Sequence, residues 1–328
     1  MKKRTCTAAV CALIFGICIG MILSSCTAAC AQNGDAVPVS SSGDRITRVL
    51  LVGCDRAASL ADSIMIVSIN ETRSQASILQ IPRDTYAEYT SRSYKKINGA
   101  VSALGISDFE TFLENVLCVP IDSYVVLKTD ALVGIVDAIG GVDVEIPQDM
   151  DYSDPAQGLE IHLTKGMRHV SGAEAEQLVR YRSGYANADL GRLDAQKGFL
   201  RAFAKRCQSL TLLQMLGAAM HALTAVQTDL GVQDIVRLAR VLRACDVDSV
   251  AMQTLSGAPV RGNSGAWYYV VNREGAIRDV NQYLFPKTTV TDDHFDRSRC
   301  FDRKTNARFH SVYSARAEEL FEIAQRFE

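Results

Sequence analysis

The chain has 328 residues, of which 48% are hydrophobic and 22% charged, a composition typical of a globular protein with one or two full cores. Its formal net charge of -2 argues against nucleic-acid binding, because nucleic-acid binders usually carry a basic field along one face. Any cluster of arginines in this chain is therefore expected to have a local target.

The N-terminus indicates an export or membrane segment. The letters MKKR precede a stretch that has no charged residue from Thr5 through Gly34. The apolar part of this stretch is close to the ~20 residues that span a bilayer, and the basic residues before it are expected to stay in the cytoplasm. We therefore expect the rest of the chain to lie outside the cell, joined to this segment by a polar linker over residues 31–46.

Three fates of this segment stay open from the sequence. The first is an uncleaved membrane anchor over residues 1–30. The second is lipidation at Cys26, because the letters LSSC that end there resemble a lipoprotein cleavage box. The third is secretion, since the letters ACA shortly afterwards resemble a signal-peptidase site. The first two fates leave the protein on the cell membrane.

The cysteines and histidines do not indicate zinc or a disulfide framework. Five of the ten cysteines fall in or beside the export segment, and the others show no CxxC or Cys/His metal spacing. We expect most of these others to be small buried side chains: Cys54, Cys118, Cys207, Cys245 and Cys300. The five histidines are dispersed and form no HExxH pair.

Strands and helices alternate after the linker. The letters RVLLVGC, DSIMIVSINE and QASILQIPRD predict three strands, and residues 123–147 predict a strand, a helix, a Gly-Gly turn and a further strand. This alternation predicts the α/β class, with a mixed central sheet covered by helices on both faces.

The second half of the chain is predicted to be largely helical. Ser171 and Glu174 have capping-box spacing, which predicts a helix that begins near Gly172 and ends near Arg180. Further helices are predicted over residues 192–207, 212–226 and 232–242. Because residues 212–226 are strongly apolar, we expect them to pack in a core.

Charged residues mark the ends of the predicted strands. Asp55 follows the first strand, and Asp62 opens the second. The third strand ends in Arg83 and Asp84. Ligand sites of α/β sheets form outside strand ends, so these side chains are expected to converge. Carboxylates beside guanidiniums can hold a pyrophosphate with Mg²⁺, because the hard cation prefers oxygen ligands and arginine forks onto the remaining phosphate oxygens.

A second group of cations lies within residues 179–200, whose letters are VRYRSGYANADLGRLDAQKGFL. One interpretation is that Arg180, Arg182 and Arg192 bind phosphate. The other is that Arg180 and Arg182 complement the dipole at a helix end or pair with Asp189 on the surface. The P-loop, GxSxG and strand-linked GxGxxG fingerprints are missing from the sequence.

Together these segments resemble the LytR-CpsA-Psr family. The motifs that carry the resemblance are DSIMIVSIN, SILQIPRDTY, KINGA, IDSYVVLKTDALVGIVDAIGGVDVEIP and the arginine segment, and they fall within residues 47–285. The resemblance implies a single-pass membrane protein of a Gram-positive bacterium. Its extracellular domain, residues 47–287, would transfer a glycopolymer such as teichoic acid or capsule from a polyprenyl-pyrophosphate carrier to peptidoglycan. The resemblance does not cover residues 288–328, whose own apolar pattern predicts a tail that ends in an amphipathic helix.

The resemblance also implies roles for single residues. Asp55 and Asp62 match metal-binding aspartates, which would hold Mg²⁺. The family positions that contact the pyrophosphate correspond in this chain to Arg83, Arg180, Arg182, Arg192 and Gln196. Either Asp189 or Asp84 would accept the proton of the attacking sugar hydroxyl. Residues 212–226 would line a tunnel for the polyprenyl tail, and membrane lipid, but no nucleic acid, is expected among the partners.

Two positions depart from the family pattern. Leu60 and Ala195 stand where the family commonly has arginine, which predicts an altered fit of the substrate. Two alternatives stay open, and the missing cations suggest the first of them. One is a non-catalytic wall-associated or regulatory membrane protein. The other is a polyprenyl-pyrophosphate hydrolase, in which water takes the place of the acceptor.

Overall fold

The computed structural model describes residues 43–54, 60–89, 95–154, 159–181, 184–185, 189–210, 226–262, 265–292, 301–302 and 307–308. The described residues of Asp35–Tyr124 and Ala251–Glu328 form one compact unit, called the sheet unit below. Those of Val125–Val250 form a second, called the central unit. The expected anchor and the expected C-terminal helix lie outside the described residues. Within the described ranges, no helix is both long and apolar enough to cross a bilayer.

Strands contribute to both units. They are β1 (Ile46–Cys54), β2 (Ala61–Asn70), β3 (Gln75–Ile81), β4 (Ser123–Lys128), β5 (Val142–Ile146), β6 (Met150–Asp154), β7 (Leu159–Leu163), β8 (Gly166–Val170), β9 (Val226–Thr228), β10 (Ala251–Thr254), β11 (Gly257–Arg261), β12 (Trp267–Val271), β13 (Phe301–Asp302) and β14 (Ala307–Arg308). Valine and isoleucine recur through the first strands, as expected for side chains that fit a pleated and buried surface.

Helices connect many of these strands. They are α1 (Ala100–Leu104), α2 (Ile106–Leu117), α3 (Thr129–Ala138), α4 (Gly172–Arg180), α5 (Asp189–Gln208), α6 (Val232–Ala244) and α7 (Arg273–Tyr283). In α2, Phe109, Phe112 and Val116 recur at helical spacing and are buried, so this helix turns one apolar face inward.

The sheet unit contains a mixed sheet in the strand order β10-β3-β2-β1. β1, β2 and β3 are antiparallel neighbours, whereas β10 runs parallel to β3. Leu50, Ile66 and Leu79 are fully buried, so the middle of the sheet is apolar. A mixed sheet combined with helices confirms the predicted α/β class, and the cover of helices on both faces stays a prediction.

A buried arginine ties β1 to the chain that follows α7. The guanidinium of Arg48 donates hydrogen bonds to the carbonyl oxygens of Leu284 at 2.6 Å and Phe285 at 2.7 Å. Burial lowers the pKa of Arg48, and nearby Asp122 opposes this shift. The carbonyl oxygens replace the water that the guanidinium loses, which is the condition for burying a charged group.

The central unit packs α3, α4 and α5 with the antiparallel pairs β5–β8 and β6–β7. A third antiparallel pair joins β4 and β9. Apolar side chains of the three helices and of the β5–β8 and β6–β7 pairs form one cluster that includes Val144, Ile161, Leu178 and Phe199. The helices α3, α4 and α5 therefore each bury apolar side chains in this cluster.

The start of α4 is fixed by its close approach to α3. A Cβ atom on Gly172 would lie 2.2 Å from the carbonyl oxygen of Val133, so only glycine fits at this contact. The N–H of Gly172 also donates to Oδ1 of Asp137 at 2.7 Å. Since α4 carries Arg180 at its other end, this contact helps to set where that arginine lies.

Most predicted elements are confirmed, and one boundary is wrong. The first three strands, the strand-helix-turn-strand segment over residues 123–147, and the helices α4, α5 and α6 are all present. The helix that was predicted over residues 212–226 cannot include Val226, because Val226 begins β9 and pairs with Leu127 of β4. A β-branched side chain that finds a strand partner favours the extended backbone. Residues 211–225 lie outside the described residues.

The described cysteines agree with the expectation of small buried side chains. Cys54, Cys207 and Cys245 are buried, and Cys118 is half-buried. Burial raises the pKa of Cys245 to about 12, with a smaller contribution from Asp246, so this thiol stays protonated. Cys300 lies outside the described residues.

Candidate functional site

The first polar cluster lies where β2 begins and β3 ends. Asp62 is the second residue of β2, and Arg83 follows the last residue of β3 by two positions. The antiparallel register pairs Ile64 with Ile81, and its continuation brings residue 83 opposite residue 62. Nη1 of Arg83 donates a charge-assisted hydrogen bond to Oδ1 of Asp62. Strand register therefore brings together two residues that the sequence placed at separate strand ends.

The Asp62–Arg83 pair is only partly open to water. The side chain of Arg83 is 13% exposed and that of Asp62 is 31% exposed. Cys54, at the end of β1, pairs with Ala61, so the chain leaves β1 beside Asp62. Asp55, the second expected metal ligand, lies outside the described residues. Within the part of the chain that the structure describes, no group of three or more His, Cys, Asp or Glu could hold a metal ion.

Asp84 has a partner to which the sequence analysis gave no role. Nζ of Lys96 lies 2.7 Å from Oδ1 of Asp84. The N–H of Asn98 donates to the carbonyl oxygen of Arg83 at 3.1 Å, which holds the two segments together. Lys96 belongs to the KINGA motif that supported the family resemblance. No local sequence pattern links Lys96 to Asp84, because this contact depends on the tertiary fold.

The second polar cluster is carried by α4 and α5 of the central unit. At the start of α4, the N–H of Ser171 donates to Oε2 of Glu174 at 2.8 Å. In return, the N–H of Glu174 donates to Oγ of Ser171 at 3.3 Å. The predicted capping box is therefore confirmed. The hydrogen bond from the Ser171 backbone lowers the pKa of Glu174 from its ordinary value.

Arg180 is the last residue of α4 and is held by a residue of its own helix. Its Nη1 donates to Oε1 of Glu176 at 2.8 Å, one helical turn away. Glu176 is buried, while the side chain of Arg180 is 19% exposed. The partner shown for Arg180 is therefore a buried acid. Arg182 and the side chain of Asp189, the partner considered in the alternative interpretation, lie outside the described residues.

Arg192 and Gln196 lie on α5 and are both buried. Nε2 of Gln196 donates to the carbonyl oxygen of Val179 at 3.0 Å. This bond satisfies a carbonyl in the last turn of α4, a group that has no partner within the helix. Ala195, one of the two positions that depart from the family pattern, packs in the apolar cluster of the central unit.

Two tyrosines pack the arginine segment against α5. The rings of Tyr181 and Tyr185 meet edge to face with their centroids 5.4 Å apart. A Cβ atom on Gly191 would lie 2.5 Å from Cγ of Tyr185, so the ring rests directly on the helix backbone. Burial, with a smaller effect of Tyr181, raises the pKa of Tyr185 to about 12. The phenol is therefore a neutral packing group at neutral pH.

Each cluster thus contains a guanidinium that a carboxylate orients in a partly buried setting. In such a setting water screens the attraction between a guanidinium and a phosphate oxygen less than it does at a fully exposed arginine. The sequence patterns predicted ligand-binding roles for Arg83, Asp62 and Arg180 but none for Glu176. The signal for Glu176 was present, since it precedes Arg180 by four residues on the same helix face.

Known relatives of this chain are named as teichoic acid transferases. TagU of Bacillus mycoides (strain KBAB4), named a polyisoprenyl-teichoic acid--peptidoglycan teichoic acid transferase, is 30% identical over 241 residues, covering 72% of this chain and 77% of the relative. TagV of Bacillus subtilis (strain 168), which bears the same activity name, is 29% identical over 233 residues, covering 68% of this chain and 60% of the relative.

Solved structures share the fold. The crystal structure of B. subtilis TagV is similar with a TM-score of 0.62 and 24% identity, over 77% of this chain and 98% of that one. A structure described as TagT bound to LI-WTA is similar with a TM-score of 0.59 and 22% identity, over 76% of this chain and 93% of that one. The sequence model of the LytR_cpsA_psr family matches residues 24–283, which is most of the chain and includes both polar clusters. The chain therefore belongs to the LytR_cpsA_psr family.

Proposed function

We propose that this protein is a transferase that moves a glycopolymer from a polyprenyl-pyrophosphate carrier onto a hydroxyl group of peptidoglycan. Family membership supports this proposal, as do relatives named for such a transfer with teichoic acid. The observation that carries it is the Asp62–Arg83 pair. There, the register of two buried strands aligns a carboxylate and a guanidinium at strand ends, where ligand sites of such sheets form.

The pyrophosphate of the carrier would be bound by the positions that match the family pattern, namely Arg83, Arg180, Arg182, Arg192 and Gln196. Guanidinium groups suit this task because their planar fork matches two phosphate oxygens at once. The contacts with Asp62 and Glu176 support this role for Arg83 and Arg180, since an oriented guanidinium loses less entropy when it binds.

The reaction is a phosphoryl transfer. The oxygen of a sugar hydroxyl forms a bond to the phosphorus that carries the glycopolymer, and the bond from that phosphorus to the bridging oxygen of the pyrophosphate breaks. Polyprenyl phosphate leaves with the bonding electron pair, and the hydroxyl proton passes to Asp84 or Asp189. The arginines stabilise the charge that develops on the phosphate oxygens. The contact of Lys96 with Asp84 orients that carboxylate.

Mg²⁺ is part of the proposal as the cofactor. Asp62 suits a hard cation, because it offers a carboxylate that is 31% exposed and already fixed through Oδ1. Asp62 and Asp55 would hold the ion, and phosphate oxygens would complete its ligand set. Bound there, the ion supplies Lewis-acid neutralisation of phosphate charge.

The protein is further proposed to act at the outer face of the cell membrane. The uncharged stretch behind MKKR supports this location. We expect the full-length chain to fractionate with membranes and to be degraded by protease added to intact protoplasts. Lipid labelling that disappears in Cys26→Ala would identify a lipoprotein, whereas an unlabelled wild type that stays on the membrane would identify an uncleaved anchor.

A turnover assay tests the function directly. It uses the purified full-length chain and a lipid-linked glycopolymer, with and without peptidoglycan. We expect polymer to leave the lipid only when peptidoglycan is present, and to become attached to it. Equal release without the acceptor would indicate the hydrolase, and no release in either case would favour the non-catalytic wall-associated or regulatory role.

A further inference from the structure

Lys96 lies between a carboxylate and an aromatic ring of the sheet unit. Its Nζ is 2.7 Å from Oδ1 of Asp84 and 5.9 Å from the centre of the Tyr268 ring. An ammonium group within about 6 Å of a ring centre is attracted to the negative face of the ring. The side chains of Lys96 and Asp84 are both partly buried, so water screens these contacts less than it does on an open surface.

The pairing of two segments brings these three residues together. Thr85 forms a parallel bridge with Tyr269, and both of these side chains are buried. Because side chains alternate between the faces of an extended chain, Asp84 and Tyr268 are expected on the opposite face, and the contacts of Lys96 confirm this. The N–H of Tyr269 donates to the carbonyl oxygen of Asp84 at 2.8 Å, which fixes the two segments beside each other.

The Tyr268 ring is itself held in place. It packs against a small buried cluster of Tyr86, Val260 and Val270. Its ring meets that of Tyr86 edge to face, with the centroids 5.6 Å apart. Tyr86 also forms an antiparallel bridge with Lys96. The ring is therefore a fixed surface for the ammonium group, which sits at the end of a flexible four-carbon stem.

The ion pair leaves one oxygen of Asp84 for chemistry. Among the described residues, the hydrogen bond shown for this carboxylate runs from Lys96 to Oδ1. Oδ2 is therefore the oxygen that can accept a proton from a bound hydroxyl. An ammonium group held at Oδ1 also limits rotation of the carboxylate, and a base that is already oriented loses less entropy on the way to the transition state.

We propose that Lys96 and Tyr268 are positioning residues for Asp84, and that Oδ2 of Asp84 takes the proton of the attacking hydroxyl. This inference rests on the proposed transferase function, in which the base was either Asp84 or Asp189. Tyr268 holds the ammonium group of Lys96, and Lys96 holds Oδ1 of Asp84. The hydroxyl proton passes to Oδ2 as the hydroxyl oxygen bonds to phosphorus, and polyprenyl phosphate leaves with the bonding electron pair.

Kinetics of the full-length enzyme separate positioning from packing. Tyr268→Leu keeps an apolar side chain in the buried cluster but removes the aromatic face. We expect its kcat for transfer to fall on the order of 3- to 10-fold, with the KM for the lipid-linked donor unchanged. Tyr268→Phe keeps the ring and should restore most of the lost kcat. Tyr152→Leu is the control, because Tyr152 is an exposed aromatic residue of β6 with no assigned role, and its kcat should equal that of the wild type.

Lys96→Met tests the same contacts without a change in the packing of Tyr268. Methionine keeps much of the stem but removes the ammonium group. We expect a loss of kcat at least as large as that of Tyr268→Leu. The double variant should be no slower than Lys96→Met alone, because the ring acts through the ammonium group and the effects of coupled residues do not add.

Chemical labelling tests the contact between Lys96 and Tyr268 without any turnover. The full-length protein in detergent is treated with acetic anhydride, and mass spectrometry compares acetylation of Lys96 with that of the exposed Lys128. Tyr268→Leu should raise the ratio of Lys96 to Lys128 acetylation roughly 2- to 5-fold, the size expected for one cation–π contact. Tyr268→Phe should give a ratio close to that of the wild type.

Four results would overturn the inference. The first is an acetylation ratio in Tyr268→Leu equal to that of the wild type. The second is a wild-type kcat in Tyr268→Leu or Lys96→Met. The third is a Tyr268→Phe variant as slow as Tyr268→Leu, which would assign the loss to the hydroxyl group. The fourth is a donor KM that rises while kcat does not fall, which would assign Lys96 to the phosphates of the carrier.

Failure of the proposed function would look different. A wild-type protein that transfers no polymer, but whose Lys96 acetylation still responds to Tyr268→Leu, would refute the proposed transferase function and keep the contact between Lys96 and Tyr268. An active enzyme that is insensitive to both substitutions would keep the proposed function and refute the positioning roles.

Discussion

The Asp62–Arg83 pair and the Glu176–Arg180 pair contain the same chemical groups but are assembled in different ways. Asp62 and Arg83 are 21 residues apart and meet through the register of β2 and β3. Glu176 and Arg180 are four residues apart on one helix. The first pair therefore requires the folded sheet, whereas the second requires only that α4 is helical.

The two pairs also present opposite members to water. In the first pair the carboxylate is the more exposed side chain, at 31% against 13% for the arginine. In the second pair the arginine is the more exposed side chain, at 19% against 9% for the glutamate. Under the proposed function, the more exposed carboxylate of Asp62 would meet the cation and the more exposed guanidinium of Arg180 would meet the anion.

The largest expected effect follows from replacing the exposed carboxylate. Asp62→Asn keeps the shape of the side chain but removes its charge. We expect transfer to fall on the order of 100- to 1,000-fold, as when one electrostatic stabiliser of a transition state is lost. The response of the rate to added Mg²⁺ should disappear as well, and steady-state assays across Mg²⁺ concentrations measure both quantities.

Asp194→Asn is the matched control for this change. Asp194 forms an exposed surface pair with Lys197, and such pairs contribute little to stability. Its transfer rate and Mg²⁺ response should equal those of the wild type. Full activity of the wild type in the presence of EDTA would contradict the metal role of Asp62.

The next effect follows from replacing the exposed arginine. Arg180→Ala should weaken binding of a polyprenyl-pyrophosphate analogue roughly 10- to 150-fold, the loss of one charge-assisted hydrogen bond. Arg180→Lys should also bind more weakly, because lysine keeps the charge but loses the bidentate fork. Calorimetry with Mg²⁺ present measures both affinities, and Arg182→Lys is expected to behave in the same way.

Folding measurements separate this role from a structural one. Arg180→Lys keeps a cation beside the buried Glu176, so its free energy of unfolding should change by less than about 1 kcal/mol. Affinity equal to the wild type in this variant would assign Arg180 to the helix end alone. The proposal that Asp62 meets a cation while Arg180 meets an anion would then fail for Arg180.

A smaller effect is expected when the buried partner of Arg180 is changed. Glu176→Gln keeps an oxygen acceptor one turn before Arg180 but removes the charge that orients the guanidinium. We expect affinity for the pyrophosphate analogue to fall on the order of 3- to 10-fold, because the arginine is held less firmly. Calorimetry on this variant provides the measurement, and an affinity above that of the wild type would show that Glu176 competes with the ligand instead of orienting Arg180.

The sequence could predict features of the molecule that depend on local pattern. The capping box at Ser171, the helix that ends at Arg180 and the strands before Arg83 all follow from short-range chemistry, and all are present. It could also indicate that Asp62 and Arg83 lie at strand ends, because strand periodicity is visible in the letters.

The features that the sequence could not predict depend on distant parts of the chain. Lys96 reaches Asp84 only because the segment after Arg83 is hydrogen-bonded to the segment at Asn98. The end of the expected helix at Val226 was wrong because a strand partner, Leu127, lies almost 100 residues earlier in the chain. No local propensity encodes such pairings.

The smallest expected effect concerns the capping box that starts α4. Glu174→Ala removes the carboxylate that accepts the N–H of Ser171, so we expect the free energy of unfolding at pH 7 to fall by about 0.5–1 kcal/mol. The pKa of Glu174 is lowered in the folded protein, so its contribution is complete above the unfolded pKa of about 4.3 and is lost as the pH falls through the lower folded pKa. The difference in the free energy of unfolding between wild type and variant should therefore narrow in acid, which denaturant unfolding at a series of pH values measures.

Glu145→Ala is the control, because it removes the same charge at an exposed position of β5 without removing a cap. Its free energy of unfolding at pH 7 should equal that of the wild type. Because the bonds from Gly172 to Asp137 and from Gln196 to Val179 still hold both ends of α4, Glu174→Ala should bind the pyrophosphate analogue like the wild type. A clear loss of affinity would mean that the position of Arg180 depends on the start of its helix more than on the contacts at its end.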